Sequence, residues 1–105
     1  MKKGEIIKKK EEFDDIINST LAKKNLFFII HSREKKLAKS RYGIAAGTKL
    51  GNAVIRNKLK RRVREIINEE KNLFSKDLDY IIIVRKPCID LKYSETKDKL
   101  INLIR

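Results

Sequence analysis

The sequence predicts an α/β fold in which helices pack on a small sheet. Three observations carry the prediction: apolar runs of strand length, segments whose apolar residues recur on a helical period, and a long helical segment lying between the second and third strands, where a crossover connection would run. A chain of 105 residues with 41% hydrophobic residues has the size of one domain with one modest core, so residues 1–105 are read as a single unit.

Residues 7–21 open the pattern. Ile7, Phe13, Ile16, Ile17 and Leu21 fall on a helical period among Lys, Asp and Glu, which predicts a first helix. Asn18, Ser19 and Thr20 are turn formers, so the helix can end before Leu21. Residues 26–31 (LFFIIH) and 41–47 (RYGIAAG) read as strands joined by a charged turn over residues 32–40, and their proximity in sequence predicts an antiparallel pair. Residues 79–85 (DYIIIVR) are apolar at almost every position, as in a strand covered on both faces, and Pro87 closes it. Between the second and third strands, residues 52–68 form a helix that Asn52 can cap. A last helix over residues 94–105 carries Leu100, Ile101 and Ile104 as one stripe toward the sheet.

Charge is the second theme. Twenty-seven Lys and Arg against fourteen Asp and Glu leave a formal net charge of +13, a field suited to a polyanion such as nucleic acid. No run approaches the ~20 apolar residues that cross a bilayer, so no membrane partner is expected. The opening MKKGEIIKKKEE has charges where an export signal needs an apolar core. A single cysteine, Cys88, cannot form an intramolecular disulfide, and a single histidine, His31, cannot make a zinc site alone, which together suggest a reducing, cytoplasmic setting.

The charge concentrates in one helix. At 100° per residue, Ile55, Leu59, Val63 and Ile66 share a docking face with Ile67 at its margin, while Arg56, Lys60 and Arg64 form a row at i, i+4, i+8. Asn57 and Arg61 form a second row, and Lys58 and Arg62 lie toward the opposite edge. From Lys49 to Arg64 there are seven cationic residues and no acidic one. Like charges at this spacing cost roughly 0.2–0.5 kcal/mol per pair, which an anionic partner would offset. A merely solvated amphipathic helix is the competing reading, but glutamate usually alternates with lysine on such a face, and here it is missing until Glu65.

This helix and its approach resemble the protein component of bacterial ribonuclease P. The resemblance rests on Gly51, Asn52 and Ala53, then Arg56, Asn57 and Lys58, then Lys60, Arg61 and Arg64. Lys58 is a departure, keeping charge without an arginine's bidentate fork. Residues 7–13 (IKKKEEF) and 79–87 (DYIIIVRKP) are also similar to segments of the family, in its order. The resemblance implies a two-layer sandwich with a mixed four-stranded sheet and about three helices, the basic helix forming a left-handed crossover. The fourth strand is expected from a division of residues 25–47. It further implies RNA contact by Lys49, Asn52, Arg56, Asn57, Lys58, Lys60, Arg61 and Arg64. Phe13, Ile17 and Ile30 are expected in a cleft for the 5′ leader of precursor tRNA, although Ile17 and Ile30 offer no ring for a base to stack on. The implied partners are the catalytic RNA and precursor tRNA, with no obligate protein partner, and the implied Mg²⁺ ions of the holoenzyme are held mainly by RNA.

No pattern in the sequence supplies a protein-borne hydrolytic centre, which would need converging carboxylates or paired histidines. Glu11, Glu12, Asp14 and Asp15 read as surface charge pairing on a lysine-rich helix, and Asp77 and Asp79, just before a strand, read as turn formers, with holding a hydrated magnesium ion as their alternative role. The protein alone is therefore expected to be non-catalytic within an endoribonuclease. A ribosomal or general RNA-binding protein shares the charge, size and plan and stays open as the alternative.

Overall fold

The computed structural model describes residues 3–105. Its helices are α1 (Lys10–Ser19), α2 (Ala53–Glu69) and α3 (Tyr93–Ile104), and its strands are β1 (Ala22–Lys24), β2 (Phe28–Glu34), β3 (Tyr42–Ala46) and β4 (Leu78–Val84). The four strands form one sheet in the order β1-β2-β4-β3. β1 and β4 both run antiparallel to β2, while β3 lies parallel to β4, with Tyr42 opposite Tyr80 and Ala46 opposite Val84. The expected mixed four-stranded sheet with three helices is present.

β4 takes a central place because both of its faces are apolar. Tyr80, Ile82 and Val84 join one core with Phe28, Ile30, Tyr42 and Ile44, beneath Leu59, Val63, Ile66 and Ile67 of α2 and Leu100 and Ile101 of α3. Ile81 points the other way and is buried with Ile7 and Ile16, flanked by Phe13, Ile17 and Ile83. The helices thus divide: α1 covers one face of the sheet, and α2 and α3 cover the other.

Four expectations are corrected. The strands read at 26–31 and 41–47 are not an antiparallel pair, because β4 lies between them and supplies the apolar partner on each side. The fourth strand precedes Asn25: it is Ala22–Lys24, an exposed edge with no apolar alternation to announce it. Ile7 lies outside the first helix, its N–H donating to the Tyr42 carbonyl at 2.9 Å, so residues 6–7 extend the sheet beyond β3. Ile55 is 36% exposed, at the edge of the docking face, where it packs over Gly51.

Local chemistry sets the helix ends. The hydroxyls of Ser19 and Thr20 donate to the carbonyls of Asp15 and Ile16 at 2.5 and 2.6 Å, closing α1 two residues before Leu21, which is fully out in solvent. Asn52 caps α2, its side-chain oxygen accepting from the Ile55 N–H at 3.1 Å. Gly51, at φ 140°, makes the turn into that cap, a conformation that disfavours any side chain.

Candidate nucleic-acid interface

A groove of about 760 Å³ runs along the β3 edge of the sheet, between α1 and α2. Phe13 and Ile17 of α1 form one wall, Ala45 and Gly47 lie along the strand, and Lys60 and Arg64 of α2 stand on the opposite rim. The small residues of β3 leave the space open. At Gly43 a Cβ would fall 2.6 Å from the tips of both the Phe13 ring and the Ile81 side chain, so a larger residue there would have to displace them. The structure therefore brings Phe13 and Ile17 together with two members of the cationic row.

Ile30 is a correction. It lies on the opposite face of the sheet, in the core beneath α2 and α3, and is 4% exposed. A one-residue shift along a strand exchanges faces, so the β2 side chains on the α1 face are those of Ile29, His31 and Arg33. His31 Nδ1 is 3.0 Å from the Thr20 hydroxyl, at the C-terminal end of α1.

The remaining candidates lie along α2 and its approach. Lys49, Asn52, Asn57, Lys58, Arg61 and Arg64 are exposed, and Arg56 and Lys60 are half-buried. Among the described residues, no lysine or arginine of α2 has an acidic partner; the carboxylates at the end of the helix, Glu69 and Glu70, pair instead with Lys97 of α3 at 3.2 and 3.4 Å. Arg62 serves the fold, donating to the Leu91 carbonyl at 3.0 Å and pinning α2 to the segment before α3. The uncompensated charge faces outward and toward the groove.

Lys8 and Lys10 also line the groove, and sequence reasoning missed them. Their run of lysines looked like a helical surface, and only the pairing of residues 6–7 with β3 carries them to this rim.

Beneath α1 a charge network fixes the groove's wall. Asp79 is fully buried in β4, not in a turn, and accepts from the Arg41 N–H at 2.9 Å. The Arg41 guanidinium lies 3.5 Å from the same carboxylate and donates to Glu12 of α1 at 2.6 Å. Arg33 lies 3.9 Å from Asp79 and bonds Asp15 of α1 at 2.7 Å. The hydrogen bond from Arg41 holds the Glu12 carboxyl below the usual glutamate value. These acids are thus committed to arginines, and as a donor set they do not fit a hard cation such as Mg²⁺. Among the described residues, no three His, Cys, Asp or Glu side chains converge to hold a metal. Cys88 is buried, and burial pushes its thiol pKa up.

Comparison with known proteins decides the family. A family model described as Ribonuclease P matches residues 1–105. The chain belongs to the ribonuclease P protein family. A ribonuclease P protein component from Mycoplasma capricolum is 44% identical, over 100% of this chain and 97% of that protein. The Staphylococcus aureus RNase P protein structure superposes with a TM-score of 0.86 at 32% identity, covering 95% of this chain and 92% of that one. The Thermotoga maritima RNase P protein gives 0.85 at 32% identity, covering 95% and 94%. Membership of the ribonuclease P family places the chain in transfer-RNA processing, as a protein component of that enzyme. No helix of the described residues is long and apolar enough to cross a membrane.

Proposed function

We propose that this chain binds the catalytic RNA of ribonuclease P through α2 and holds the 5′ leader of precursor tRNA in the groove between α1 and α2. The enzyme then removes the leader by endonucleolytic cleavage to make the mature 5′ end. The observation that carries this reading is the pairing of an apolar wall, Phe13 and Ile17, with the uncompensated cations Lys60 and Arg64 across one open groove. A single strand needs both: surface for its bases and charge for its phosphates.

Arg56, Asn57, Lys58, Arg61 and the approach residues Lys49 and Asn52 then neutralise and position the catalytic RNA. Arginine grips phosphate bidentately, lysine adds point charge, and the asparagines offer hydrogen bonds to sugar or base edges. Hydrolysis and its Mg²⁺ ions belong to the RNA, in keeping with the commitment of Glu12, Asp15 and Asp79 to arginines. Fixed cations replace screening ions, so the protein lowers the magnesium requirement and raises substrate affinity. The chain acts as one unit in the cytoplasm, without an obligate protein partner.

The test is cleavage of a 5′-extended precursor tRNA at low magnesium by a bacterial ribonuclease P RNA, with and without this protein, and by the protein alone. Cleavage at the mature 5′ end only with both components is expected. Arg61→Ala should weaken binding to the RNA and flatten the dependence of log affinity on log salt by about 1. Tight RNA binding without any stimulation of cleavage would favour a general RNA-binding protein.

A further inference from the structure

A second concave, cationic feature adjoins the groove. The groove follows β3 from Gly47 to Tyr42, and at Tyr42 a depression of about 350 Å³ begins and continues past Ser40. Lys35 and Lys39 of the β2–β3 connection line it from one side, and Lys71 and Lys76, from the connection between α2 and β4, from the other. Residues 5–7 pass from one to the other, Glu5 lining the depression and Ile6 and Ile7 the groove.

The four lysines have too few acids to neutralise them. Lys71 pairs with Glu5, and Lys35 lies a long 4.0 Å from Asp77, whereas among the described residues Lys39 and Lys76 have no acidic partner. Aromatic stacking is not on offer: the Tyr42 ring is stacked on Tyr80 at 5.8 Å and edge-on to Phe74 at 5.6 Å, and it is 5% exposed. The depression therefore suits phosphates rather than bases.

We infer that this lysine depression is a distal phosphate-binding station for the leader strand of the precursor, engaged by leaders long enough to run the length of the groove and pass Tyr42. The inference rests on the reading of the groove as the leader site. Its chemistry differs from that of the groove. Lysines on exposed connections act as point charges without base readout, so the contact depends on leader length and salt and is indifferent to leader sequence.

The experiment uses the assembled holoenzyme, leaderless mature tRNA as the baseline, and two precursors, one with a leader confined to the groove and one extended by several nucleotides. Affinity is measured across a salt series for the unaltered protein and for the double variants Lys39→Gln/Lys76→Gln and Lys39→Glu/Lys76→Glu. Both positions are exposed, and circular dichroism checks that the variants fold. For the long leader, the glutamine variant should lose affinity and its salt slope should be shallower by about 1.4, the value for two single-strand phosphate contacts. The glutamate variant should lose more, and the short-leader precursor should bind each variant like the unaltered protein. Unchanged long-leader binding would overturn the inference, as would an equal loss for both precursors, which would assign the lysines to the catalytic RNA. If the unaltered protein gains nothing from any leader, the groove reading falls as well, and the two failures are told apart by that control.

Discussion

Gly43 faces α1 from the sheet, and one methyl group there would meet both Phe13 and Ile81 at 2.6 Å. Overpacking of this kind costs about 1–3 kcal/mol. Gly43→Ala should therefore lower the melting temperature by at least about 4 °C. It should also push the Phe13 ring toward the groove, weakening precursor binding more than binding of the catalytic RNA alone. A melting temperature equal to that of the unaltered protein would mean that Phe13 moves aside freely and is no fixed wall. At this scale the sequence was partly legible. Glycine in a strand signals close approach, but nothing in RYGIAAG says that a phenylalanine thirty residues earlier is the neighbour. The helical period of Phe13, Ile16 and Ile17 put them on the first helix, while the place of Phe13 and Ile17 beside a cleft came from the family resemblance and not from the period. Ile30 was placed on the wrong face because the parity of a strand is fixed only by its pairing register.

Among the elements, α2 combines a cap, a docking face and a charged face, and these can be separated. Asn52→Ala should cost about 1 kcal/mol of stability through loss of the bond to the Ile55 N–H. Asn52→Ser keeps a capping oxygen and removes the amide. If Asn52 also contacts RNA, the serine variant should hold the urea midpoint of the unaltered protein while RNA affinity falls; equal affinity would confine Asn52 to capping. α2 was legible because it is long and periodic, and β4 because an almost unbroken apolar run needs cover on both faces. β1 was not: Ala-Lys-Lys is exposed at every position and owes its strand conformation to hydrogen bonding along β2. The pairing of β2 with β3 was misjudged because neighbours in sequence are usually neighbours in space, whereas here a later, more apolar strand displaced that pairing. The lysines of residues 8–10 fell at a helix start, where sequence reads charge but not direction.

Across the whole molecule, the arginines and acids around Asp79 tie α1 to β2, to β4 and to the residue that leads into β3, and the tie responds to acid. The folded-state pKa of Glu12 is lowered by the bond from Arg41, so the unfolded chain takes up the proton first as pH falls. Its contribution is present above the ordinary glutamate value of about 4.3 and is lost as pH falls from there through the lowered one. Glu12→Gln should be less stable than the unaltered protein at pH 7, and the gap in urea midpoint should narrow below about pH 4. A gap constant across that range would show that the carboxylate charge contributes nothing.

The strand order also has a consequence in time. Among the described residues β4 is the last strand in chain order, and β3 pairs with it and with the short stretch at residues 6–7, so β3 gains its one full strand partner only when residues 78–84 have been made. Before that, among the described residues, the β1–β2 hairpin and the short bridge from Ile6 to Tyr42 are the sheet pairings that can close, and the apolar face of β2 waits uncovered. The residues ahead of β4 must therefore stay soluble until their central strand is made, a task for which a strongly positive chain that repels its own copies is well suited.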